Sequence, residues 1–156
     1  MGLFGPSKGT PESAREMVCD FLAECGLSPE VALDFRDERV EGWSFSRGSS
    51  PVSVVLAKGA DPALLWVESR IVRLPTDPAQ VEPMLRYCLS ENRHGLATIA
   101  LDDEDGVVMV KSTRTLNGLD KEELEEMIAM VSGTADNLDN ELANRFGCEM
   151  LGQDPV

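Results

Sequence analysis

Between Met84 and Leu142 the apolar period runs helical, then alternating, then helical again, which fixes a helix, a β-hairpin and a long helix in succession. Leu124, Met127, Ile128, Val131, Ala135, Leu138 and Leu142 recur at steps of three and four and so form one stripe of a helix. Glu122, Glu125, Glu126, Asp136 and Asp139 fall mostly off that stripe and leave the other side to water. Asp120 and Glu123 make an Asp form of the capping box at the start, where acidic side chains also suit the positive end of the helix dipole. Gly147, after Arg145 and Phe146, supplies the stop. Gly133 interrupts the pattern at a cost of about 1 kcal/mol relative to alanine, so close packing or a slight bend is expected there.

Ahead of this helix, Leu96–Leu101 and Val107–Thr113 read as strands joined at Asp105 and Gly106, where glycine accepts positive φ. Ile99 and Leu101 share a face and have Val108 and Val110 as partners across the hairpin, while Thr98, Ala100, Met109 and Lys111 take the other face. The DDEDG run offers the hard oxygen ligands of calcium but fails on spacing. With Gly106 at the sixth loop position, the first ligand would be Leu101 and the bidentate glutamate Ser112. An ordinary acidic hairpin tip is the better reading.

Nearer the N-terminus, Ala14, Met17, Val18, Phe21, Leu22 and Cys25 predict a helix over 12–25, capped by Thr10 or Ser13 and ended by Gly26. Val31, Leu33 and Phe35 alternate with polar or small neighbours, as in a first strand or extended segment. Trp43–Arg47, Val52–Lys58 and Leu64–Arg73 carry strand composition and are separated by turn-forming GSSP and GADP, which suggests an antiparallel meander. Alternation puts Trp66 opposite Leu65 and Val67, so one sheet face could expose large apolar groups. Trp43, Phe45 and Trp66 are the candidate partner anchors, with core filling as the alternative for each. An open strand edge that pairs with a peptide is a second recognition device. Asp77 and Pro78 begin another helix, with Gln80 placed for a capping box. Pro83 either kinks that helix or starts a new one.

The 156 residues suit one domain over 12–147, with a flexible arm at 1–11 and a tail at 148–156. A net charge of −14 repels nucleic-acid phosphate and anionic lipid. No run is apolar enough to cross a membrane, and the N-terminus lacks both a secretory plan and a myristoylation pattern, so cytoplasmic residence is expected. Cys19, Cys25, Cys88 and Cys148 have neither metal-site spacing nor a disulfide framework and read as free thiols, Cys88 on an apolar helix face. The single histidine, His94, has no ligand partners at metal spacing. Nothing in the sequence arranges groups for catalysis, and no cofactor or metal is implied.

The stretches YCLSENRHGLATIALDDEDGVVMVKSTRTL and GLDKEELEEMIAMVSGTADNLDNEL, with the strands before them, resemble the YbjN family, whose fold is related to that of type III secretion chaperones. The resemblance spans roughly 12–145. It implies an α+β domain of helices against an antiparallel sheet in the order α-β-β-β-α-β-β-α, often dimeric, that binds proteins without catalysis. In secretion chaperones the homodimer holds an extended segment of its client. A non-enzymatic protein-binding module, chaperone-like or regulatory, is therefore the expected function. The alternative is a small-ligand sensor with a pocket between sheet and helix.

Overall fold

The computed structural model describes residues 9–48 and 50–152. In chain order its elements are helices α1 (Pro11–Glu24) and α2 (Pro29–Ala32), strands β1 (Leu33–Arg36), β2 (Val40–Arg47), β3 (Ser50–Ala57) and β4 (Leu64–Arg73), helix α3 (Pro78–Glu91), strands β5 (Thr98–Asp102) and β6 (Val107–Thr115), and helix α4 (Lys121–Phe146). The strands form a six-stranded antiparallel sheet in the order β1-β2-β3-β4-β6-β5. After β4 the chain passes through α3 to the far edge and returns inward through the β5–β6 hairpin, which leaves β1 and β5 as edge strands.

This is the expected α+β class with two additions to the order α-β-β-β-α-β-β-α: the edge strand β1, where Leu33 and Phe35 suggest a first strand or extended segment, and the short helix α2. Val31 lies in that helix and not in a strand, because Ser28 caps its start by accepting from the Val31 N–H and Pro29 sits at the first helical position. Two compact units make up the chain: residues up to Phe45 with Ser53–Val67 and Thr113–Ile128, and Ser46–Val52 with Glu68–Ser112 and residues from Ala129 onward.

In the first unit, Thr10 and Ser13 form a reciprocal capping box on α1, and Pro11 takes the first helical position. The expected stripe is buried at Ala14, Val18, Phe21 and Leu22, and the Phe21 ring lies 6.0 Å from that of Phe45 on β2. Trp43, Val54, Leu56, Leu65 and Val67 are buried beside them. Asp120 accepts from the Glu123 N–H and Glu123 from the Asp120 N–H, which is the box expected at the start of α4.

In the second unit α3 is one continuous helix, capped by Asp77 through the Ala79 N–H, with Pro83 inside it on an exposed face. Asn92 closes α3, its side chain accepting from the Ile99 N–H at 2.7 Å and donating to the Ile99 carbonyl at 3.2 Å. The hairpin has the expected register, Ile99 opposite Val110 and Leu101 opposite Val108, with Gly106 at a φ of 64°. Arg70 bonds Asp102 and Asp105 and so neutralises part of the DDEDG tip. Val131, Ala135, Leu138 and Leu142 carry the buried stripe of α4 onward. Gly133 is not closely packed, since a Cβ there would meet nothing within 4 Å.

The expected arm, 1–11, lies outside the described residues as far as Lys8; Gly9 takes a φ of 101° and Pro11 already opens α1. Of the segment expected as a tail, 148–152 is described. Cys148 is buried, and Met150 makes an antiparallel bridge to Val72 of β4.

Candidate functional site

The exposed large apolar side chains fall into two groups, each beside an open edge of the sheet. In the first unit Leu27, Val31 and Phe35 are 36%, 85% and 45% exposed, on the turn before α2, on α2 and on β1. In the second, Leu89, Leu96 and Leu101 are 70%, 85% and 36% exposed, on α3, the α3–β5 connection and β5. Of these, Leu89 and Leu101 line one common hollow, and contiguous apolar exposure marks association surfaces where single exposed leucines do not.

The two edges differ in what their main chain offers. A strand residue points its N–H and C=O to the same side, so Asn92, by taking both groups of Ile99, occupies the outward edge of β5 at that residue. Among the described residues no side chain bonds the main chain of Leu33–Arg36. Beside the second edge lies an apolar pocket of about 160 Å³ lined by Leu85, Cys88, Leu89, Ile99, Leu101 and Val108, among others.

The β1 edge rests on an ionic cluster. Glu41 of β2 is fully buried, and its carboxylate accepts from Arg15 Nε of α1 at 2.9 Å, from a second Arg15 nitrogen and from Lys58 Nζ at 2.8 Å. Arg36 Nε of β1 lies 3.4 Å away. Burial alone would push this carboxyl up, but the hydrogen bonds and charges of Arg15 and Lys58 outweigh it and bring the pKa down to about 2. One carboxylate thus fastens α1, β1 and the end of β3 to β2. Strand alternation carries the signal for it, because Glu41 shares the inward parity of Trp43 and Phe45.

The three aromatic candidates do not gather on one exposed surface. Trp43 is 1% exposed, Phe45 is half-buried against Phe21, and Trp66 is half-buried on the face of β4 opposite the buried Leu65 and Val67. Phe35, which the sequence reading used only as a strand marker, has the more accessible ring. It lies opposite Gly42 in the β1–β2 register.

The second unit also holds an open cleft of about 500 Å³ between the end of α3, β5 and α4. Ala97, Ile99 and Leu138 form a buried apolar floor; Tyr87, Glu91, His94, Thr134, Asn137 and Glu141 form the rim. The Tyr87 hydroxyl donates to Glu141, and this bond together with burial pushes its pKa up to about 12. The Arg145 guanidinium lies over the Tyr87 ring, 4.3 Å from its centroid.

All four cysteines are free. Burial, followed by the influence of Cys148, pushes the Cys88 thiol up to about 11, and the Cys148 thiol, also raised by burial, donates to the Met84 sulfur at 3.4 Å. Thiols held protonated in this way behave as small core groups. No group of three His, Cys, Asp or Glu side chains among the described residues is placed to hold a metal ion, and no described helix is long and apolar enough to cross a membrane.

The chain is similar in structure to the ExsC–ExsE complex, with a TM-score of 0.62, 18% identity, and coverage of 83% of this chain and 93% of the other. The HopA1–SchA chaperone–effector complex gives a TM-score of 0.58 at 14% identity, over 83% of this chain and 95% of the other. YbjN from E. coli gives 0.55 at 14% identity, over 89% and 96%. At these identities the likeness is one of fold. No curated protein matches the sequence. The profile of the family described as "YbjN: Putative bacterial sensory transduction regulator" matches residues 14–144, nearly the whole of the described fold, and the chain therefore belongs to the YbjN family.

Proposed function

We propose that this protein is a non-enzymatic protein-binding module of the cytoplasm, acting as a homodimer, that holds an extended segment of a partner polypeptide along the β1 edge. The observation that carries the reading is the pairing of each open sheet edge with its own exposed apolar triplet: Leu27, Val31 and Phe35 at β1, and Leu89, Leu96 and Leu101 at β5. At β1 the Leu33 N–H donates to the Pro29 carbonyl and, among the described residues, no side chain bonds the main chain, which leaves the strand beyond Leu33 suited to strand addition. At β5 Asn92 occupies part of the edge, which suits side-chain packing by a second copy through Leu89 and the apolar pocket beside it. The fold likeness to the HopA1–SchA chaperone–effector complex supports a polypeptide as the partner.

The chemistry of the β1 edge defines the segment it fits. Strand pairing places alternate side chains on one face, where Phe35 stands, so the segment carries apolar residues at every second position. The net charge of −14 favours lysine or arginine between them. Of the aromatic candidates, Trp43 and Phe45 lie on the β2 face opposite Phe35 and back the edge from within, and Trp66 retains accessible surface on β4.

Fluorescence anisotropy with labelled peptides that alternate leucine and lysine tests this. Binding is expected for the alternating peptide, with loss when proline replaces a central residue and weakening of about tenfold in Phe35→Asp. Binding indifferent to both changes, or no binding at all, overturns the reading.

A further inference from the structure

We propose that the cleft between α3, β5 and α4 binds the ammonium end of a short aliphatic amine, either a free amine or a lysine side chain. The inference is independent of the β1 edge and concerns only the second unit. A volume of about 500 Å³ lies within the range of small-ligand sites, and its floor of Ala97, Ile99 and Leu138 is buried and apolar, so it accommodates a hydrocarbon stem.

The rim sets the charge. Glu91 and Glu141 present carboxylates from opposite walls, α3 and α4. Asn137 uses one amide hydrogen on the Gly133 carbonyl at 3.0 Å, which orients its side chain and leaves its oxygen as an acceptor. Tyr87 spends its only hydroxyl hydrogen on Glu141 and keeps lone pairs for an incoming donor. Hydrogen-bond acceptors on two sides of an apolar floor match an ammonium group, which carries three donors and no acceptor. The same wall already holds a cation of this chain, since the Arg145 guanidinium lies over Tyr87 and 3.7 Å from Glu141. His94 is the remaining titratable group on the rim. A carboxylate ligand would meet like charge at Glu91 and, partly offset by Arg145, at Glu141, which disfavours it.

Tyr87 is the only tyrosine in the chain, so 3-fluorotyrosine labelling gives one fluorine resonance at the cleft. At constant ionic strength, 1,5-diaminopentane and N-acetyl-lysine methylamide are titrated separately, with hexanoate and 1-pentanol as anionic and neutral counterparts. A saturable shift with either amine is expected, no saturable shift with hexanoate, and at least about tenfold weaker binding of the amine in Glu91→Gln. Saturation by diaminopentane alone identifies a free amine, and saturation by the lysine amide alone a protein side chain; either upholds the proposal. It is overturned if neither amine saturates, if pentanol or hexanoate binds as well, or if Glu91→Gln leaves amine affinity unchanged.

Discussion

Phe35 lies across Gly42, its partner in the β1–β2 register, so closely that a Cβ on Gly42 would sit 2.3 Å from the ring's Cζ. The glycine is a seat for the ring, and the ring in turn covers a position where the sheet has no side chain. Gly42→Ala therefore displaces the half-exposed Phe35 ring and costs about 1 kcal/mol of stability. In a Phe35→Ala background the same change becomes neutral or stabilising, because only the ring opposed it. Denaturant midpoints for the four proteins of this cycle measure the coupling.

The Glu41 cluster makes stability depend on acid. The folded carboxyl has a pKa of about 2 against an ordinary 4.5, so its contribution is fully present above pH 4.5 and is lost as pH falls from there toward 2. That contribution is about 3 kcal/mol. Glu41→Gln is expected to flatten this part of the pH profile and to lower stability near neutrality by a similar amount, since Arg15 and Lys58 lose their shared anion. Chemical denaturation at a series of pH values reads both effects.

Gly133 stands in the middle of α4 with open space where a Cβ would go. Gly133→Ala removes the conformational freedom that the unfolded chain gains from glycine, and stability should rise by about 1 kcal/mol. Thermal unfolding of the variant checks it.

In the proposed homodimer the β5 edge lies between the two copies. Leu89→Asp places a charge in the proposed contact between copies and should yield a monomer by light scattering, where the native chain is expected to scatter at twice its own mass. Leu89 is 70% exposed within one chain, so the folded monomer itself should lose little stability.

Most of the fold was legible in the sequence because local signals agreed with it. The α4 stripe and its Asp120–Glu123 box, the Thr10 cap and the hairpin register at Ile99 and Leu101 are all set by neighbours in the chain or by period. Val31 was misleading because its alternation with Leu33 and Phe35 competed with the Ser28–Pro29 start signal, and the helix start prevailed. The surfaces were harder to read. The burial of Trp43, the seat of Phe35 on Gly42 and the Arg15–Glu41–Lys58 cluster depend on which strands become neighbours, and no local pattern states that. Glu41 came nearest to being readable, since a carboxylate on the inward parity of a strand needs cations from elsewhere.

Amide hydrogen exchange on addition of the alternating leucine–lysine peptide examines the central claim at the main chain itself. Strand addition at the open edge predicts slowed exchange within Leu33–Arg36, with Thr98–Asp102 little changed. Protection confined to Thr98–Asp102, or no protection in Leu33–Arg36 when the peptide is bound, would contradict it.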